Sequence, residues 1–125
     1  GGPVGDPMGW LRRMRRFFTQ SDEERLASEI RGWAEGVPGT RRIAGCPSRE
    51  EVRLAGMVSR LRLRPMNGSM TLEAVISDGT GEVTASWTGR SHIPGLTLGT
   101  PVVLEGVVAA DRSGLRMVNP TFEFA

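Results

Sequence analysis

The sequence predicts a mainly β fold: a five-stranded barrel preceded by one N-terminal α-helix. Three observations lead there. Apolar residues recur at helical spacing between residues 21 and 37, and with a period of two from Val52 onward. Turn signals at Asn67-Gly68, Asp78-Gly79-Thr80-Gly81, Pro94-Gly95 and Asp111 to Gly114 cut the alternating region into five strand-length pieces. One pattern also occurs twice, as Val52-x-Leu54-x-Gly56-x-Val58 and Val102-x-Leu104-x-Gly106-x-Val108. A mid-strand glycine marks a bend or a close backbone approach, and a small closed barrel needs bends where a strand changes sides. A chance echo of a common Val/Leu/Gly pattern is the alternative.

Each element has its own justification. Residues 1–9 are Gly/Pro-rich and read as disordered, and residues 1–19 as a basic, flexible segment. Residues 21–36 form the helix (20–37 with its flanks): Ser21 caps it, Glu24 completes a capping box, and Asp22, Glu23 and Glu24 suit the positive end of the dipole. Leu26, Ile30, Trp33 and Val37 make one apolar stripe, which needs a surface to cover; an open barrel end would serve. Gly36 and Pro38-Gly39 stop the helix, and 38–51 is a linker. The barrel occupies 52–125. Strand one is 52–64, with Arg60, Arg62 and Arg64 alternating with Leu61 and Leu63. Strand two carries Leu72, Ala74 and Ile76, and strand three Val83, Ala85 and Trp87, with Trp87 on the core side. Residues 89–98 are a connector with room for one helical turn. Strand four runs from about Pro101 to Ala110 and strand five from Leu115 to Val118, ended by Pro120. Phe122 and Phe124 then mark a last extended segment that still packs.

Composition narrows the function. The 125 residues contain 16 Arg, no Lys, one His and one Cys. One Cys excludes an intrachain disulfide, and one Cys with one His cannot build a Cys/His zinc cage. Most nucleophile–base pairs are removed as well. His92 beside Ser91 reads as a loop histidine, Asp78 as turn chemistry, and Cys46 as a linker thiol. No catalytic residue, metal or cofactor is expected. No apolar run approaches the roughly 20 residues that span a bilayer, and no signal-peptide pattern follows Arg12–Arg16. The expected compartment is cytoplasmic.

The segments Val52-Arg53-Leu54-Ala55-Gly56-Met57-Val58, Ile76-Ser77-Asp78-Gly79-Thr80-Gly81-Glu82-Val83, Leu98-Gly99-Thr100-Pro101-Val102-Val103-Leu104-Glu105-Gly106 and Leu115-Arg116-Met117-Val118-Asn119-Pro120 carry a resemblance. In this order they resemble OB-fold nucleic-acid-binding domains, of the type seen in the RecG helicase wedge and in the anticodon-binding domains of some aminoacyl-tRNA synthetases. They are also similar to small uncharacterised actinobacterial OB-fold proteins with a helix before the barrel. The resemblance covers residues 52–124 and implies that the five strands close as an OB-fold Greek-key barrel. It implies a non-catalytic module that binds single-stranded or structured nucleic acid, DNA or RNA. The implied site is the face of strands two and three, bounded by the loops Pro65–Ser69 and Asp111–Gly114. Here the sequence departs from the family, because the open-face positions Thr71, Glu73, Val75, Glu82, Thr84, Ser86 and Thr88 include no aromatic residue and two acids.

The expected ligand contacts are therefore phosphate contacts. Alternation puts Arg60, Arg62 and Arg64 on one side of strand one, roughly 6.5–7 Å apart, which suits bidentate contacts to an extended strand. A solvated, pairing-resistant edge is the alternative. The expected binding residues are Arg53, Arg60, Arg62 and Arg64, with Arg112 and Arg116 by the second loop and Arg90 on the connector. A protein-interaction module that keeps the barrel without the ligand is a second reading. A membrane adaptor working through Trp10 to Phe18 is a third. The net charge of +2 is unevenly spread: +3 over residues 1–19, −2 over 20–51, +4 over 52–64 and −3 over 65–125.

Overall fold

The computed structural model describes residues 20–124. The elements are α1 (Gln20–Glu35), β1 (Glu51–Met66), β2 (Ser69–Ser77), β3 (Glu82–Thr88), β4 (Pro101–Asp111), β5 (Gly114–Val118) and β6 (Thr121–Phe124). The Gly/Pro-rich start, the basic stretch 10–18 and the Ser21 cap lie outside the described residues and side chains.

The strands close a ring. β1 pairs antiparallel with β2, and β2 with β3; β3 runs parallel to β5, β5 antiparallel to β4, and β4 returns to β1. Ring closure satisfies backbone groups that an open sheet would leave at its edges. The turns follow from residue type: Asn67 and Gly68 both take positive φ (48° and 82°) in the two-residue β1–β2 connection, as a tight hairpin requires. The last extended segment is a sixth strand. It pairs with β4 over Val102–Glu105 where β5 leaves off, and its register slips by one residue, Val108 facing Met117 but Leu104 facing Phe122.

The two copies of the repeated pattern are each other's partners. Val52 faces Gly106, Leu54 faces Leu104 and Gly56 faces Val102. Each glycine thus lies opposite a valine. At Gly56 the reason is close approach, since a Cβ there would come within 2.7 Å of Ile76 Cγ2 and of the Ser77 carbonyl oxygen. The irregularity in β1 comes later. Its register against β2 shifts between Val58 and Arg60, leaving Ser59 in a bulge whose hydroxyl donates to the Val75 carbonyl (3.1 Å). A bulge exchanges the two faces of a strand, so Val52, Leu54 and Val58 pack inward before it and Leu61 after it.

The barrel core contains Leu54, Ile76, Val83, Val102, Leu104, Val108 and Met117. Trp87 lies in this core; its Nε1–H donates to the Pro120 carbonyl (3.0 Å) and its ring meets Phe122 edge-on at 5.5 Å. The connector is built of turns without a helical one, and it sends Ile93 and Leu96 into the core. The segment 38–50 sends in Ile43, whose N–H donates to the buried Asp78 carboxylate (Oδ2, 2.9 Å). Asp78 Oδ1 also accepts from the N–H groups of Thr80 (2.8 Å) and Gly81 (3.2 Å). The hairpin turn and the segment before the barrel are therefore held by one side chain.

The helix packs with its last turn against the outside of the barrel wall. Ala34, with Trp33 and Val37, packs on Ala55 and Val103, which face away from the core on the paired strands β1 and β4. The β2–β3 turn meets the same helix, with Gly79 against the backbone of Ala27. Small residues at Ala34 and Ala55 allow this close side-on packing.

Candidate functional site

A groove of about 530 Å³ runs across the outer face of the sheet. β1 supplies Arg60, Arg62 and Arg64, β2 Glu73 and Val75, β3 Glu82 and Thr84; the β4–β5 turn and β5 supply Ser113 to Arg116. Strand pairing explains the grouping. Arg60 faces Val75, Val75 faces Thr84 and Thr84 faces Arg116, so these four form one row across four strands. Arg62 and Glu73 belong to the next row. At about 4.8 Å per strand, the groove is roughly 14 Å wide between the Arg60 and Arg116 backbones.

The groove's charges fall into two sets. Glu73 is buried, with only 7% of its side chain exposed, and lies 2.8 Å from Arg116 Nη2 and 3.6 Å from Arg64 Nη1. Arg116 is mostly covered, so its ion pair is partly shielded from water; Arg64 is half exposed and its pair is long. Arg60 and Arg62 are exposed and have no ion-pair partner among the described residues. Glu82, also exposed, has none there either. The site therefore offers free guanidinium groups along β1, a neutralised pair on its floor, and a free carboxylate across from the arginines.

The arginines expected at the site do not all meet. Arg60, Arg62, Arg64 and Arg116 line the groove. Arg53 lies elsewhere: its guanidinium donates to Glu105 (3.0 Å) and Glu123 (2.7 Å), tying β1 to β4 and β6. The hydrogen bond to Glu105, then that to Glu123, pushes the Arg53 pKa above its ordinary value. Seven residues of strand separate Arg53 from Arg60, roughly 23 Å of chain, with the bulge between them. Arg112 is exposed in the turn next to the groove-lining Ser113, and Arg90 is exposed at the start of the connector; neither lines the groove. The pairing of Glu73 with Arg116 has no local signal in the sequence, because the two are 43 residues apart.

Other candidates resolve as structure. Asp78 holds the turn and Ile43. Burial pushes the Cys46 thiol up in pKa, with Arg41 pulling it down and Glu50 adding to the rise. Among the described residues no group of three or more His, Cys, Asp and Glu gathers as for a metal, and no helix is long and apolar enough to cross a membrane.

No known family model matches the chain, and no curated protein does. Solved structures do. RecG bound to a three-way DNA junction is 21% identical, with a TM-score of 0.52 over 61% of this chain; the match spans 11% of RecG. An OBody bound to hen egg-white lysozyme is 19% identical, with a TM-score of 0.54 over 71% of this chain and 96% of the OBody. A second OBody, also bound to lysozyme, gives 0.53 at 19% identity over 70% of this chain and 92% of its own. At these identities the likeness is one of fold. It shows an OB-like barrel, which the helix α1 precedes in the chain.

Proposed function

We propose that this protein is a non-catalytic OB-like module that binds nucleic acid, single-stranded or structured, mainly through phosphates in the groove. One observation carries the reading: Arg60, Arg62 and Arg64 stand in a row on one wall, two of them free of partners, and Arg116 stands on the other. Guanidinium groups at two-residue spacing on a strand suit successive phosphates. The RecG structure, whose matching part has the same fold, is bound to DNA, which supports this direction. None of the groove-lining residues is aromatic, so stacking, worth about 1–3 kcal/mol per base where it occurs, contributes little there. Binding then depends on counterion release and is salt-sensitive. Fluorescence anisotropy with labelled single-stranded DNA, RNA and a branched duplex, at low and moderate salt, tests the proposal. Binding at low salt that weakens with salt is expected; no binding to any of them at low salt would end it.

A second reading is an interaction module for protein. The groove's mixed charge supports it, as do the OBodies, whose barrels are bound to lysozyme. A stable protein complex formed without nucleic acid affinity would favour this reading.

A further inference from the structure

The groove contains a feature that phosphate binding alone leaves unused. Glu82 is an exposed carboxylate on its β3 wall, while the other groove acid, Glu73, is occupied by Arg116 and Arg64. Against a polyanion, a free carboxylate is a liability, because like charges across a narrow groove repel. It becomes favourable when the ligand presents N–H donors to it. Strand pairing places Glu82 two strands across from β1 and one two-residue step along from the Arg60 row, roughly 12 Å between backbones. A ligand spanning this gap meets guanidinium groups on one side and a carboxylate, with the Thr84 hydroxyl, on the other.

We infer that Glu82 is a specificity residue that reads a base edge: the strand lies with its phosphates on Arg60 and Arg62 and turns a base toward Glu82, with guanine preferred. This rests on the phosphate-binding reading. Among the bases, guanine alone offers two adjacent donors on its Watson–Crick edge, N1–H and the N2 amine, to match the two oxygens of a carboxylate. Cytosine and adenine offer one amine beside an acceptor, and thymine offers N3–H flanked by carbonyl oxygens that repel the carboxylate. Such an edge is open only where the nucleic acid is unpaired, so the inference selects single-stranded segments. A base that covers the carboxylate without donating to it displaces its water and leaves it unpaired, and is disfavoured.

The test uses 12-nucleotide dT oligomers carrying one central dG, one central deoxyinosine, which lacks the N2 amine, or no substitution. Anisotropy is read with the full chain and with Glu82→Gln. Wild type is expected to bind the dG oligomer about tenfold tighter than plain dT, with deoxyinosine between. Glu82→Gln should bring the three within about twofold and tighten binding to plain dT, since a negative charge is removed. Equal wild-type affinity for all three oligomers overturns the inference and leaves the phosphate reading standing. A preference that survives Glu82→Gln also overturns it. No binding of any oligomer at low salt overturns both. The oligomer series is read on wild type, so the inference stays testable even if the variant misfolds.

Discussion

Glu73 occupies the floor of the groove and competes with any phosphate for Arg116. Replacing it with Gln removes that competition while keeping the side chain's size and one hydrogen-bond acceptor. In wild type three arginines are available to phosphates: Arg60, Arg62 and the loosely paired Arg64, whose Nη1 lies 3.6 Å from Glu73. For a single strand, three neutralised phosphates give a slope of log affinity against log salt of about −2. Releasing Arg116 adds a fourth and steepens the slope to about −2.8. Affinity at low salt should rise roughly fivefold, about 1 kcal/mol, a discounted value for a charged contact at a site open to solvent. Stability should move the other way. Arg116 is 28% exposed, so losing its charged partner costs less than breaking a fully buried pair; about 1–2 kcal/mol is expected. Anisotropy across a salt series reads the first effect, and urea unfolding followed by Trp fluorescence the second. A slope that stays the same or becomes shallower in Glu73→Gln would refute the reasoning, because it would mean that Arg116 does not face the ligand.

Other predictions concern the fold that holds the groove. Asp78→Ala removes the acceptor for the N–H groups of Ile43, Thr80 and Gly81 and should cost about 3–4 kcal/mol in urea unfolding; a loss under about 1 kcal/mol would contradict the role given to it. Gly56→Ala drives a methyl group into Ile76 and the Ser77 carbonyl and should cost about 2–3 kcal/mol, whereas Gly68→Ala, with open space around it, is strained only by its positive φ and should cost less. Burial raises the Cys46 pKa, so less thiolate is present at pH 8 than for an unfolded thiol; its alkylation by iodoacetamide should be slower in the native protein and speed up in urea.

The strands were readable because alternation is a local signal, and each turn carried residues suited to positive φ, such as Asn67-Gly68. Even the bulge left a trace: inward residues are even-numbered up to Val58 and odd-numbered at Leu61, a change of parity that only an extra residue can produce. Contacts between distant segments were not readable. Alternation says that Arg53 and Arg60 both face outward, yet it does not say that Glu105 and Glu123 wait beside one and not the other. The helix stripe announced that it would be covered, but its position on Ala55 and Val103 depended on which outer face was left small and apolar. At the candidate site, the β1 arginine row was legible and its charge balance was not, because Glu73 meets Arg116 only after β2, β3 and β5 have been brought side by side.

The central claim is that the β1 arginine row binds phosphates. Its most direct test is the salt slope of single-strand binding in wild type and in the Arg60→Ala/Arg62→Ala/Arg64→Ala variant, with Arg53→Ala as the control outside the groove. Wild type and Arg53→Ala should share a slope near −2, roughly a fifteenfold loss of affinity from 50 to 200 mM salt, and the triple variant should fall to between about −0.7 and zero. An unchanged slope in the triple variant, or a slope lost in Arg53→Ala instead, would contradict the claim and place the contacts elsewhere.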